Sequence, residues 1–398
     1  MKRQGSLVAL GAVAVVVAAL VWLDQRRPST EEAGRQRQHL VPGFDRARAT
    51  ELEIERRGAV TRLRHEASGW WLAGPPRRRA DDSAVESLLS VLEYGEIERR
   101  IPKVDATLRG KLGLAAPLAV VRVEGHTLRI GGDDPSRGVY VERDAEPGVL
   151  VAERRLVETA DLDPRLWMSM RVTLGSPSEA RQLACNGWTL ERTSGWRVTS
   201  PAVARASDAK VDALVQMLER ARAVGEDPSR APVEGGTTLV LDGESQARLA
   251  GDKVDRADGA RLTFRKSDLG LLAAPVETFY ERRLFPLRLD DLVAIDVGPL
   301  QLRRESGAWR ITAPLAAVRP VDDDKVRAFL EPLLAAEARS FTAAPRAAAA
   351  GAGARVTRVR LATRDEEVVA AVDGATAVRA GETVALELAA PLALATSF

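Results

Sequence analysis

One cysteine, three histidines and an aromatic content of 4% set the first limits on this 398-residue chain. With Cys185 alone, no intrachain disulfide can form, and its place in a strand pattern reads as a buried small residue rather than a reactive thiol. His39, His65 and His126 stand apart, one in a polar stretch and two in strand patterns, with no His or Cys at ligand spacing, so no metal site is expected. Charge of one sign is also missing. Lys+Arg 58 against Asp+Glu 56 leaves a net +2, interspersed along the chain, which argues against a nucleic-acid surface. No nucleotide cradle is spelled either. Gly351-Ala-Gly353 sits in the alanine-rich AAPRAAAAGAGAR, with neither a preceding strand nor a phosphate-binding lysine, and reads as a linker.

What is present is a repeat. GWWLAGPPRRRADDSAVESLLSVL (69–92) recurs as GWRVTSPAVARASDAKVDALVQML (195–218) and, with a two-residue insertion, as AWRITAPLAAVRPVDDDKVRAFLEPL (308–333). Trp70, Trp196 and Trp309 lie 126 and 113 positions apart, beyond the roughly 20–50 residues of a solenoid unit, so each copy is long enough to be a small domain. Within each copy the Trp begins a short strand that a proline ends. An Asp (Asp82, Asp208, Asp323) then precedes an apolar stripe at i, i+3, i+4, i+7, which is one face of an amphipathic helix. The stripes are Val85, Leu88, Leu89 and Leu92; Val211, Leu214, Val215 and Leu218; and Val326, Phe329, Leu330 and Leu333. Pro332 falls inside the third stripe and is expected to kink or shorten that helix.

Hairpin patterns flank the phrase. Upstream, alternation turns about Gly58, Asn186-Gly187 and Gly298; downstream it turns at Glu124-Gly125, at Asp242-Gly243 and near Asp365. A last strand runs through Val149–Val151, Leu262–Phe264 and Val384–Leu386. The expected fold class is α+β: three tandem repeats, each mostly antiparallel sheet with one main helix. Module boundaries are placed at 44–168, 169–287 and 288–398, after a membrane anchor at 1–23 and a polar tether at 24–43.

The anchor rests on Leu7–Leu23, which carries no charge, follows Lys2 and Arg3, and at about 1.5 Å per residue just spans a bilayer core. A small-residue cleavage pattern falls at Val17-x-Ala19, but the apolar run continues to Trp22-Leu23, which favours an uncleaved transmembrane helix. Arg26, Arg27, Arg35 and Arg37 beyond the segment weigh against export by charge counting, while the short N-tail suits a signal anchor with an exported body.

Two groups of residues invite a chemical reading. Ser207-x-x-Lys210 matches the Ser-x-x-Lys of penicillin-binding enzymes, yet it aligns with Asp81 and Ala84 and with Asp322 and Lys325, so the position is a helix start; no Lys-Thr-Gly follows. The acids Asp81-Asp82 and Asp322-Asp323-Asp324 are likewise helix-start residues, Asp133-Asp134-Pro135 is a turn, and no calcium-loop spacing occurs. No catalytic, cofactor-binding or metal residue is therefore assigned.

The order of these features resembles one family. A basic start, a single apolar segment, a polar tether, a first strand over Phe44–Arg56, then GWxΦxxP, Asp and VxxLL together resemble the domain-of-unknown-function 4340 family across most of residues 44–340. The matching positions are Trp70, Pro75 and Asp82; Trp196, Pro201 and Asp208; and Trp309, Pro314 and Asp323. The resemblance implies a membrane-anchored bacterial protein whose genes often neighbour ABC-2-type exporters related to those implicated in gliding motility, and it brings no catalytic residues. The expected function is non-enzymatic: a single-pass inner-membrane protein with a periplasmic body, an accessory or binding partner of an ABC-type transporter permease or envelope complex. An alternative is a peptidoglycan- or polysaccharide-binding envelope protein, which needs exposed aromatics; an envelope serine hydrolase built on Ser207 ranks last.

Overall fold

A computed structural model describes residues 39–144, 146–344 and 356–394. The anchor segment Leu7–Leu23 and the Gly351-Ala-Gly353 linker lie outside them. Among the described residues no helix is long and apolar enough to cross a membrane. The chain divides between Ser169 and Met170 into two compact units.

The first unit holds one nine-stranded antiparallel sheet. Its strands are β1 (Glu51–Arg56), β2 (Ala59–Glu66), β3 (Gly69–Leu72), β4 (Arg78–Arg79), β5 (Ile97–Ile101), β6 (Ala119–Val123), β7 (His126–Asp133), β8 (Gly138–Arg143) and β9 (Val149–Glu153). Helix α1 (Asp82–Tyr94) joins β4 to β5, and the short helices α2 (Ala106–Lys111) and α3 (Arg155–Ala160) follow β5 and β9. The spatial order is β4-β3-β2-β1-β6-β7-β8-β9-β5. The chain thus winds outward from β1, crosses back along α1 to the far edge at β5, and returns to the centre at β6.

The second unit builds the same sheet twice. Its first copy comprises β10 (Gln182–Cys185), β11 (Trp188–Arg192), β12 (Trp196–Ser200), β13 (Ala204–Arg205), helix α4 (Asp208–Arg220), β14 (Gly225–Glu226), β15 (Thr237–Leu241), β16 (Glu244–Ala250), β17 (Lys253–Arg256) and β18 (Arg261–Thr263). The other comprises β19 (Ala294–Val297), β20 (Leu300–Glu305), β21 (Ala308–Ala313), β22 (Arg319–Val321), helix α5 (Asp323–Leu334), β23 (Ala338–Ala343), β24 (Thr357–Ala362), β25 (Glu367–Asp373), β26 (Thr376–Arg379) and β27 (Val384–Leu388). The orders β13-β12-β11-β10-β15-β16-β17-β18-β14 and β22-β21-β20-β19-β24-β25-β26-β27-β23 repeat the first with every number raised by nine and then eighteen. The threefold repeat is therefore a repeat of topology.

The recurring residues explain why. Period-two alternation sends Leu52, Ile54, Leu63 and Val121 to one face, where α1 covers them with Val85, Leu88, Leu89 and Leu92, all wholly buried. Each such side chain contributes roughly 1.5–3 kcal/mol by leaving water. The opposite face carries Glu53, Glu55, Arg62 and Arg122 in a ladder of ion pairs. Helix α4 buries Val211, Leu214 and Leu218 and half-buries Val215; α5 buries Val326, Leu330 and Leu333, with Phe329 packed partly against the same core. Turn chemistry fits as well. Arg57-Gly58, Glu124-Gly125, Asn186-Gly187 and Asp242-Gly243 all adopt positive φ at both central positions, as two-residue hairpins require.

With Pro332 inside it, α5 runs 12 residues against 13 in α1 and α4 and continues two residues past the proline. Two expectations need correction. The first strand begins at Glu51 rather than Phe44; Asp45 caps a 3-10 turn at Arg46–Arg48 before it. Residues 39–43, assigned to the polar tether, belong to the fold: Leu40 and Val41 are buried, and the Leu40 amide donates to Gly95 O at 2.7 Å. Each copy also has a cis prolyl bond after its Trp strand, before Pro76, Pro201 and Pro314.

Candidate functional site

The repeated Trp and Asp meet. The backbone amide of Trp70 donates to Asp82 Oδ1 and that of Trp196 to Asp208 Oδ1, each at 3.3 Å, so the carboxylate at the first helical position ties the strand to the helix. All three tryptophans are interior, at 3%, 5% and 5% exposure, which leaves none of them as an open ring for sugar stacking. The cap itself is the preceding residue. Asp81 Oδ1 accepts from Ala84 N and Asp322 Oδ1 from Asp324 N.

Ser207 is the equivalent N-cap of α4, half-buried, with its amide donating to Phe279 O at 2.8 Å. Lys210 is exposed, and among the described residues no hydrogen bond joins its ammonium to the serine. A serine base needs that contact. Because the Ser207 side chain makes no cap bond, Ser207→Ala is expected to cost less than about 1 kcal/mol by urea denaturation. Labelling of Ser207 by a β-lactam would instead identify a nucleophile.

The remaining sequence candidates separate. Cys185 ends β10 at 3% exposure, and burial pushes its thiol up to about 12, which suits a packed residue. His65 lies on β2 with its ring 5.0 Å from that of Trp70, His126 starts β7, and His39 forms an isolated bridge with Glu96. Among the described residues no group of three His, Cys, Asp or Glu is placed to hold a metal ion. Asp134 does sit in a turn: Ser136 donates to its carboxylate, Tyr140 adds a second hydrogen bond, and Arg99 lies 2.7 Å away, holding its pKa down to about 2.

A third repeated element carries no mark in the Trp-Pro-Asp phrase. Arg143, Arg256 and Arg379 end the equivalent strands β8, β17 and β26, at 9%, 2% and 3% exposure. Each pairs with an acid two or three residues on. Arg143 reaches Glu146; Arg256 grips Asp258 through both oxygens at 2.9 and 2.7 Å; Arg379 Nε meets Glu382 Oε1 at 2.9 Å. Each also donates to carbonyls of the segment that leads into its own sheet: Leu40 at 2.8 Å, Arg171 at 2.9 Å, and Arg283 and Glu281 at 2.8 and 3.0 Å. The signal available in the sequence was Arg-x-x-Glu, Arg-x-Asp and Arg-x-x-Glu just before each final strand.

Within the second unit, two cavities flank the β24–β25 turn. One, about 800 Å³, lies against Arg288, Asp290, Asp291, Arg304 and Arg364. The other, about 600 Å³, lies between the two sheets' loops, against Gly195, Trp196 and Asp208 on one side and Asp365, Glu366 and Glu382 on the other. Here Arg205 ion-pairs with Glu366, its amide donates to Glu382 Oε1 at 2.9 Å, and Val203 and Thr383 exchange two hydrogen bonds of 2.8 Å.

Residues 70–225 match the family model described as a domain of unknown function (DUF4340). The chain resembles that family over this span, narrower than the 44–340 read from the sequence, and the span takes in both the Trp70–Pro–Asp82 and the Trp196–Pro–Asp208 phrases. No curated protein and no solved structure matches the chain.

Proposed function

We propose that the protein is a non-enzymatic, membrane-anchored accessory or binding protein whose three-module body serves an ABC-type transporter or envelope complex from the periplasmic side of a bacterial inner membrane. The observation that supports a binding role is the use to which the repeated polar residues are put. Asp82 and Asp208 hold strand to helix, while Arg143, Arg256 and Arg379 hold each sheet to its lead-in segment, so what recurs is scaffold. Surfaces of three like modules are then free to differ, as the binding faces of repeat proteins do. The anchor and the exported body are supported by the uncharged Leu7–Leu23 and by the family resemblance. Alkaline phosphatase fused after Phe398 is expected to be active, and proteinase added to spheroplasts to degrade the body. A silent fusion together with a body that resists proteinase until lysis would place it in the cytoplasm and overturn the reading. Co-purification from solubilised membranes should then bring down a transporter permease.

A further inference from the structure

The internal repeat supplies its own comparison for the 600 Å³ cavity. In the first module the guanidinium of Arg79 fills a fixed position: Nη1 donates to Trp70 O at 2.9 Å and Nη2 to Asp82 Oδ2 at 2.7 Å. Gly69 makes room for it, since a Cβ there would collide with that guanidinium. The equivalent residues of the second module are Gly195, Trp196, Arg205 and Asp208, with Arg79 and Arg205 at the same register beside Trp71 and Arg197. Arg205, however, turns away to pair with Glu366. The acceptors it leaves are still in place. Trp196 O takes one hydrogen bond, from Ala206 N at 3.0 Å, as Trp70 O takes one from Ala80 N at 3.0 Å besides that of Arg79. Asp208 Oδ1 takes the Trp196 amide, and its Oδ2 has no cation among the described residues. A Cβ on Gly195 would meet nothing nearer than Asp208 at 3.8 Å, and the cavity opens at this point.

We propose that this cavity is a guanidinium site that receives an arginine side chain from a partner polypeptide, held by Asp208 Oδ2 and Trp196 O in the manner of Arg79 in the first module. A planar guanidinium is the group those two acceptors fit, because it presents parallel N–H bonds to a carboxylate and a carbonyl at once. The rest of the lining accommodates it. Arg379 is paired with Glu382, and Arg197 donates to Gly381 O at 3.3 Å; Asp365 adds a second carboxylate facing the cavity. The third module has no such site, because Pro320 replaces the arginine and Ala308 the glycine. The proposal stands on the repeat geometry and is independent of the membrane reading.

Isothermal titration calorimetry of the full chain with N-acetyl-arginine amide tests it. One equivalent is expected to bind, while the citrulline counterpart, isosteric but neutral, does not. Asp208→Asn keeps an oxygen for the Trp196 amide and is expected to weaken binding by about tenfold or more, as for loss of one charge-assisted contact. Glu366→Gln frees Arg205 to swing back and compete, so binding should weaken; adding Arg205→Ala to it should restore the affinity. That restoration is a readout that a merely misfolded variant does not give. Equal binding of the citrulline probe, no binding of the arginine probe, or an unchanged affinity in both Asp208→Asn and Glu366→Gln would overturn the site. Free arginine binding more tightly than the blocked amide, despite its carboxylate beside Asp365, would overturn the polypeptide as its source.

Discussion

Trp196→Ala is expected to lower the stability of the second unit by about 3–5 kcal/mol, the usual cost of emptying an aromatic core position. The ring is 5% exposed, its strand is pinned to α4 through Asp208, and the stripe residues Val211, Leu214 and Leu218 of that helix are wholly buried. Removal therefore leaves a void that neither strand nor helix is free to close. Trp71 is the internal control, since it lies on the other face of β3 with Arg77 4.1 Å above its ring, and Trp71→Ala should cost no more than about 1 kcal/mol. Urea denaturation followed by far-UV circular dichroism measures both. Equal and small losses would mean that Trp196 is not a core residue, and its ring would then be available to a ligand.

The contrast between those two tryptophans shows what the sequence made legible. Trp70, Trp196 and Trp309 stand out because they recur in phase with Pro, Asp and the helical stripe, and recurrence across three copies filters local noise from packing requirements. Glycine-bearing hairpin turns were readable for the same reason, as positive φ admits few residue types. The far-edge strands β5, β14 and β23 were not, because each is mostly exposed or very short and so has no strong alternation. Their place is fixed by the returning crossover, a property of the whole sheet. The buried arginines were hidden by composition: among 58 Lys and Arg, three that stand beside acids look like surface pairs. The cavity beside Asp208 was illegible in principle, since it depends on which way Arg205 turns, and that is decided by Glu366, 161 residues away.

Arg256 gives the other large effect. Arg256 and Asp258 have side chains 0% and 2% exposed, so Arg256→Met strands a carboxylate in a dry interior and is expected to cost about 3–5 kcal/mol. The double variant Arg256→Met/Asp258→Asn removes the stranded charge while an amide oxygen can still accept from Ala260 N, which Asp258 Oδ1 now does at 3.1 Å. It should recover more than about 1 kcal/mol of the loss, the coupling seen between groups that share one buried network. At Arg143 the partner Glu146 is 26% exposed, and water can resolvate it, so Arg143→Met should cost distinctly less despite the same loop design. Denaturant midpoints of the four proteins in the Arg256–Asp258 cycle decide the matter. Strict additivity would mean that the pair is not coupled, and the grip on the Arg171 carbonyl alone would then have to explain why a buried arginine recurs at the end of all three equivalent strands.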